Sequence, residues 1–251
     1  MLKTRVIPTL LLKKFGLVKG QKFDSWRRIG AALQFIRIYN MRNVDELILL
    51  DIAATPENIA PNFAEIENLA AYCHMPLTVG GGVRSVGDVG ALLKAGADKV
   101  AFNTAGVLRP NLIREAAHLF GTQCIVAAID FTTAEGGAKV VTECGRKVND
   151  LSVVEWATTC ERLGAGEILL TSVDRDGMMT GYDLEVTKSV TERVSIPVIA
   201  SGGCGSFDDM ARALVEANAN AVAAASIFHF TEQTPMGAKQ YLRTKGIEVR
   251  L

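Results

Sequence analysis

Short aliphatic and β-branched runs alternate along this chain with longer stretches whose apolar positions recur at helical spacing. Residues 5–12, 46–52, 77–79, 99–102, 125–130, 167–171, 198–200 and 221–224 read as strands. Helical patterns lie between them, such as 86–95 with Leu92 and Leu93 on the apolar face. Strands alternating with helices predict βαβ units on a parallel sheet. Eight units in 251 residues predict an α/β fold, a single (βα)8 TIM barrel spanning 1–251 as one domain. Ser206, followed by Asp208 and Asp209, marks a helix start, because a short side-chain oxygen caps free N–H groups. The longest stretches without a pattern, 13–24, 131–149 and 175–182, all follow strands. They fall on the face where barrels carry their sites.

The pattern also repeats. Met75-Pro76-Leu77-Thr78-Val79-Gly80-Gly81-Gly82 resembles Ile196-Pro197-Val198-Ile199-Ala200-Ser201-Gly202-Gly203, at an offset of 121 residues (81 to 202). The same offset (46 to 167) links Glu46-Leu47-Ile48-Leu49-Leu50 to Glu167-Ile168-Leu169-Leu170-Thr171, and Ser85 and Asp88 to Ser206 and Asp209. After one inserted residue, Asn103-Thr104 falls opposite Ala225-Ser226. A period near half the chain predicts two (βα)4 half-barrels.

Composition narrows the class without changing this picture. Hydrophobic residues make up 49% and charged residues 22%, as in a globular enzyme with a large core. Lys+Arg and Asp+Glu are both 27, so no basic excess points to nucleic acid. The five cysteines show no CxxC pair, which predicts reduced thiols and a cytoplasmic setting. No signal peptide or membrane span is read, and the three histidines (His74, His118, His229) lack metal-ligand spacing. Trp26 and Trp156 fall in helical patterns and read as packing residues.

Candidate chemistry sits at strand ends. Gly81-Gly82, Asn103-Thr104, Gly202-Gly203 and Ala225-Ser226 end strands 3, 4, 7 and 8. Glycines let backbone approach an anion, and helix starts offer free N–H groups. Two matched pairs predict two phosphate sites across one barrel mouth. Thr171, Gly177 and Ser201 complete the candidate ligand set. Asp51, Asp130, Asp174 and Asp176 follow strand ends, where a carboxyl can transfer protons or brace a loop. Arg175 would pair with an acid, and Lys19, in the loop after strand 1, could reach a phosphate. Cys144 reads as a small polar liner. At the opposite end, Arg5, Glu46, Lys99 and Glu167 stand near strand starts and could close a neutral ring.

Together these residues resemble the HisF family, the cyclase subunits of imidazole glycerol phosphate synthase, over essentially the whole chain. The most specific segments are Thr78-Val79-Gly80-Gly81-Gly82, Ala101-Phe102-Asn103-Thr104-Ala105, Gly166 to Gly177, and Ile199-Ala200-Ser201-Gly202-Gly203. The resemblance implies a HisH-like glutaminase docked at the barrel bottom. Ammonia would pass through the barrel to a bisphosphorylated aminoimidazole-carboxamide ribonucleotide, with no metal or redox cofactor. It implies that Arg5, Glu46, Lys99 and Glu167 form the ammonia gate and that Asp98 contacts the glutaminase. Lys19, Asn103, Thr104, Asp176 and Gly203 match ligand positions, and Asp130 matches one of two catalytic aspartates.

The position of the other catalytic aspartate holds Leu11. A leucine neither donates nor accepts a proton. The run from Val6-Ile7-Pro8 through Leu10-Leu11-Leu12-Lys13 to Gly16-Leu17-Val18-Lys19 is similar to HisF-like paralogues of bacterial surface-sugar biosynthesis. That resemblance implies ammonia passed on to a separate sugar amidotransferase. The alternatives are a genuine cyclase relying on Asp130 and a non-catalytic phosphate-binding activator of the glutaminase.

Overall fold

The structure, a computed structural model, describes residues 3–14, 16–134 and 136–250. Strand β1 (Arg5–Lys13) runs into a hairpin, β2 (Gly16–Gln21) and β3 (Asp24–Gly30). Helix α1 (Ala32–Met41), β4 (Leu47–Asp51), α2 (Phe63–Ala70), β5 (Leu77–Gly80), α3 (Val86–Lys94), β6 (Lys99–Phe102), α4 (Thr104–Leu108) and α5 (Asn111–Phe120) complete one half. The other half repeats this order. It comprises β7 (Ile125–Ala134), a hairpin of β8 (Gly137–Thr142) and β9 (Lys147–Ser152), α6 (Val153–Leu163), β10 (Glu167–Ser172), α7 (Leu184–Thr191), β11 (Val198–Ser201), α8 (Phe207–Val215), β12 (Ala221–Ala224), α9 (Ser226–Phe230) and α10 (Pro235–Thr244).

The parallel strands pair in the order β1, β4, β5, β6, β7, β10, β11, β12, and β12 pairs back to β1. The sheet is therefore a closed eight-stranded barrel, as the alternation predicts. Two readings need correction. Residues 13–24 and 131–149 are not irregular: each half inserts an antiparallel hairpin after its first strand. Phe15 and Glu135, within those stretches, lie outside the described residues. Trp26 is on strand β3, not on a helix. Non-glycine residues at positive φ (Lys22, Phe23, Glu143, Cys144) form both hairpin tips, so the usual Asn-Gly turn signal is absent. The stretch 175–182 remains a turn.

The repeat persists in the helix starts. Ser85 accepts the N–H of Asp88 while Asp88 accepts the N–H of Ser85, and Ser206 and Asp209 do the same at α8. Each box satisfies two otherwise orphaned donors. Along β1, Leu10 and Leu12 face the helices, whereas Ile7 faces the barrel interior. Interior positions form a layer of Ile7, Ile48, Ala101, Val126, Leu169, Ile199, Ala221 and Ala223. The barrel is filled, not hollow. No helix among the described residues is long and apolar enough to cross a membrane.

Candidate functional site

At the bottom of the barrel the four predicted charges meet. Arg5 bonds Glu46 at 2.7 Å and also pairs with Glu167. Lys99 Nζ bonds Glu46 Oε1 at 3.0 Å and Glu167 Oε2 at 2.8 Å. Charges alternate around a closed ring of four ion pairs, and Thr78 donates a further bond of 2.8 Å to Glu46. Burial opposes the Glu46 charge, but Lys99 and Arg5 outweigh it and hold the carboxyl below its usual range. Burial likewise opposes the Arg5 charge, and Glu167 and Glu46 overcome it. Asp98 is exposed beside this ring and accepts the Leu77 N–H at 2.8 Å, bracing the start of β5.

Above the apolar layer, the barrel opens into a cleft of about 1190 Å³, including its open mouth. All the candidate ligand residues line it: Lys19, Asp51, Gly81, Gly82, Asn103, Thr104, Asp130, Thr171, Asp176, Gly177, Ser201, Gly202, Gly203, Ala225 and Ser226. Two corners repeat one design. In one, Gly81 and Gly82 take φ of 104° and 72° beside α4; in the other, Gly202 and Gly203 take 86° and 104° beside α9. A Cβ on Gly81 would lie 2.1 Å from the Asp51 carbonyl, and one on Gly203 2.3 Å from that of Gly181. Neither short helix has a side-chain cap at its start. Asn103 Oδ1 and Ser226 Oγ are buried there with no hydrogen-bond partner among the described residues. Unsatisfied polar atoms and uncapped N–H groups converging on glycine backbone suit an anion with several acceptor oxygens.

Asp130 sits on the cleft wall between the corners. Asn103 Nδ2 donates to it at 2.8 Å and also to the Val141 carbonyl at 2.8 Å. Burial pushes the Asp130 carboxyl up to about 7; the Asn103 amide opposes the rise and the Asp176 charge adds to it. Such a group exchanges protons near neutral pH. Leu11 lines the same cleft. It pairs with Leu50 and Val18, whereas Asp130 pairs with Thr171 and Val141. Leu50 and Thr171 are repeat mates, so Leu11 holds the place in the first half that Asp130 holds in the second.

Lys19 departs from its expected setting. It lies on strand β2, is 2% exposed, and bonds both oxygens of Asp176 at 2.9 and 2.7 Å. It is therefore a buried strand residue and not a loop residue. Its hairpin sits on the opposite half: the Lys22 N–H bonds the Asp176 carbonyl at 2.8 Å, and Gly177 packs against Gly20. The β8–β9 hairpin reaches back, with the Glu143 N–H bonding Thr104 Oγ1 at 3.0 Å. The tips meet where Phe23 packs on Gly145. Each half thus covers a corner of the other.

The remaining acids brace loops. Asp51 Oδ1 accepts the N–H groups of Ala53 and Ala54 at 2.8 and 3.1 Å. Asp174 accepts from the Thr132 hydroxyl and the Thr133 N–H. Arg175 lies 3.7 Å from Asp183. Burial, then Asp130, push the Cys144 thiol up to about 12, so it stays protonated as a liner. Phe23, Trp26 and Thr9 also line the cleft, although Trp26 reads in the sequence as a packing residue. Their hairpin and strand positions carry no motif. Burial, then Lys19, drive His229 on α9 down to about 4, so the imidazole is neutral.

Residues 5–234 match the family model described as histidine biosynthesis protein. The chain belongs to that family. Membership accounts for a HisF- or HisA-like barrel. This chain carries both glycine corners and Asp130, with Leu11 at the equivalent register of the first half.

Proposed function

We propose that the protein is a HisF-like synthase subunit that takes ammonia from a HisH-like glutaminase at the ring face. On this reading the four-charge ring is the entry gate, and ammonia passes up the barrel as a neutral molecule. The ammonia is not consumed in this cleft but is passed to a separate amidotransferase, which uses it to amidinate a surface-polysaccharide sugar. The carrying observation is Leu11 at the register of Asp130. Proton transfer by two opposed carboxyls has lost one member, and such groups contribute about 10²–10⁴-fold each. The alternating ring and the apolar layer above it support ammonia passage, because an uncharged solute crosses such a layer more readily than an ion. The paired corners support retention of a phosphorylated ligand as an activator of the glutaminase.

The second reading, a genuine cyclase of histidine biosynthesis, draws on Asp130, whose carboxyl titrates near 7 and can both accept and donate a proton. Ammonia-driven turnover of the bisphosphorylated aminoimidazole-carboxamide ribonucleotide decides between them. The conduit reading expects turnover depressed about a hundredfold or more relative to a two-carboxylate enzyme. Turnover at full rate overturns it.

A further inference from the structure

One buried ion pair lies outside both the ring and the cleft. Lys239, on α10, is 1% exposed, and its Nζ bonds Asp45 Oδ1 at 2.7 Å and the Asn43 carbonyl at 3.0 Å. The other oxygen of Asp45 accepts the Val6 N–H at 3.0 Å. Asp45 directly precedes Glu46, and Val6 directly follows Arg5. One carboxylate therefore joins the start of β1 to the segment leading into β4, where one edge of the ring stands, and Lys239 fixes that carboxylate to α10.

At the equivalent place the other half is built differently. Gly166 stands at the repeat position of Asp45, and its N–H bonds the Ile125 carbonyl at 2.9 Å. A Cβ there would lie 2.2 Å from the Thr122 carbonyl, so backbone contact fills the place of a side chain. A buried charge without its partner is strongly unfavourable, which makes the pair an all-or-none contact.

We propose that the Asp45–Lys239 pair positions the Arg5–Glu46 edge of the ring, with Lys239 acting as a positioning residue seated on the C-terminal helix. Its weight in ammonia transfer rests on the gate reading given above; the positioning is a property of the barrel alone.

The test compares the parent chain with Asp45→Asn/Lys239→Met, which removes both charges together and keeps an acceptor for the Val6 N–H. Carboxyl-carbon NMR reads the Glu46 titration in each folded protein. Loosening the Arg5 contact should move the Glu46 midpoint up by about one pH unit. Val190→Ala, a core change on α7, should lower thermal stability and leave that midpoint in place. A folded double variant with an unchanged Glu46 midpoint overturns the proposal. If the double variant does not fold, Lys239→Gln, which removes the charge and keeps an amide donor, is read in the same way. In the complex with the glutaminase, the variant should also hydrolyse more glutamine per ammonia delivered. If Lys99→Ala leaves that ratio unchanged, the gate reading falls, while the titration still decides the positioning.

Discussion

Leu11 and Asp130 occupy the same register position in the two half-barrels, each facing the cleft from the strand that leads into a hairpin. Around them the halves agree in their capping boxes, glycine corners and hairpins. The mismatch is chemical: an apolar side chain faces a carboxyl whose proton is exchangeable at neutral pH.

Leu11→Asp places a second carboxyl in the cleft at the register of Asp130. Ammonia-driven cyclase turnover should rise by about 10²-fold or more. The new carboxyl is desolvated beside Val18 and Leu50, so thermal unfolding should reveal a cost of about 1–3 kcal/mol. A variant that binds phosphate and gains no turnover would mean that more than the carboxyl has been lost.

Asp130 sets a pH dependence. Its folded pKa, about 7, lies above the unfolded carboxyl value. The unfolded state releases this proton first as pH rises, so the contribution to stability is greatest in acid and falls between about pH 4 and pH 7. Asp130→Asn removes that slope. Relative to the parent it should gain stability across this window, by up to about 4 kcal/mol at pH 8, read as the difference in unfolding free energy against pH.

Ser226→Ala separates folding from ligand binding. The hydroxyl is buried without a partner among the described residues, so its removal should leave the free chain unchanged or stabilise it by about 1 kcal/mol. Affinity for inorganic phosphate should fall about tenfold. Thermal unfolding with and without phosphate measures both effects, which have opposite signs.

Lys99→Ala opens the ring and leaves Glu46 and Glu167 facing each other. Lys99 is 20% exposed, so the cost should be about 1–3 kcal/mol, below that of a fully buried pair. Glu46 normally adds stability above its unfolded pKa and loses it as pH falls through its lowered folded value. The variant should therefore lose less stability on acidification than the parent. Denaturant unfolding at pH 3 and pH 7 measures this, and glutamine consumed per ammonia delivered measures the uncoupling.

The site was only partly legible in the chain. Gly81, Gly82, Gly202 and Gly203 were readable because positive φ and close approach leave few other residues acceptable. Asp51 and Asp174 read equally well as proton donors or braces, since a carboxyl at a strand end serves either purpose. The hairpins escaped because Lys22-Phe23 and Glu143-Cys144 turn without the usual residues. Lys19 reads as a loop residue because its strand is recognisable only once β1 lies beside it.

By itself, the sequence determined the eight βα units, the two matched halves and the end of the barrel to which each charged group belongs. Those follow from local backbone periodicity, which places successive side chains on fixed faces. Tertiary structure decided which groups are buried and which pair. Lys19 meets Asp176 across 157 residues and Lys239 meets Asp45 across 194. Burial and charge pairing depend on what closure of the barrel brings alongside, and no local pattern encodes that neighbour. Closure also sets Leu11 and Asp130 at equivalent places on facing halves of one cleft.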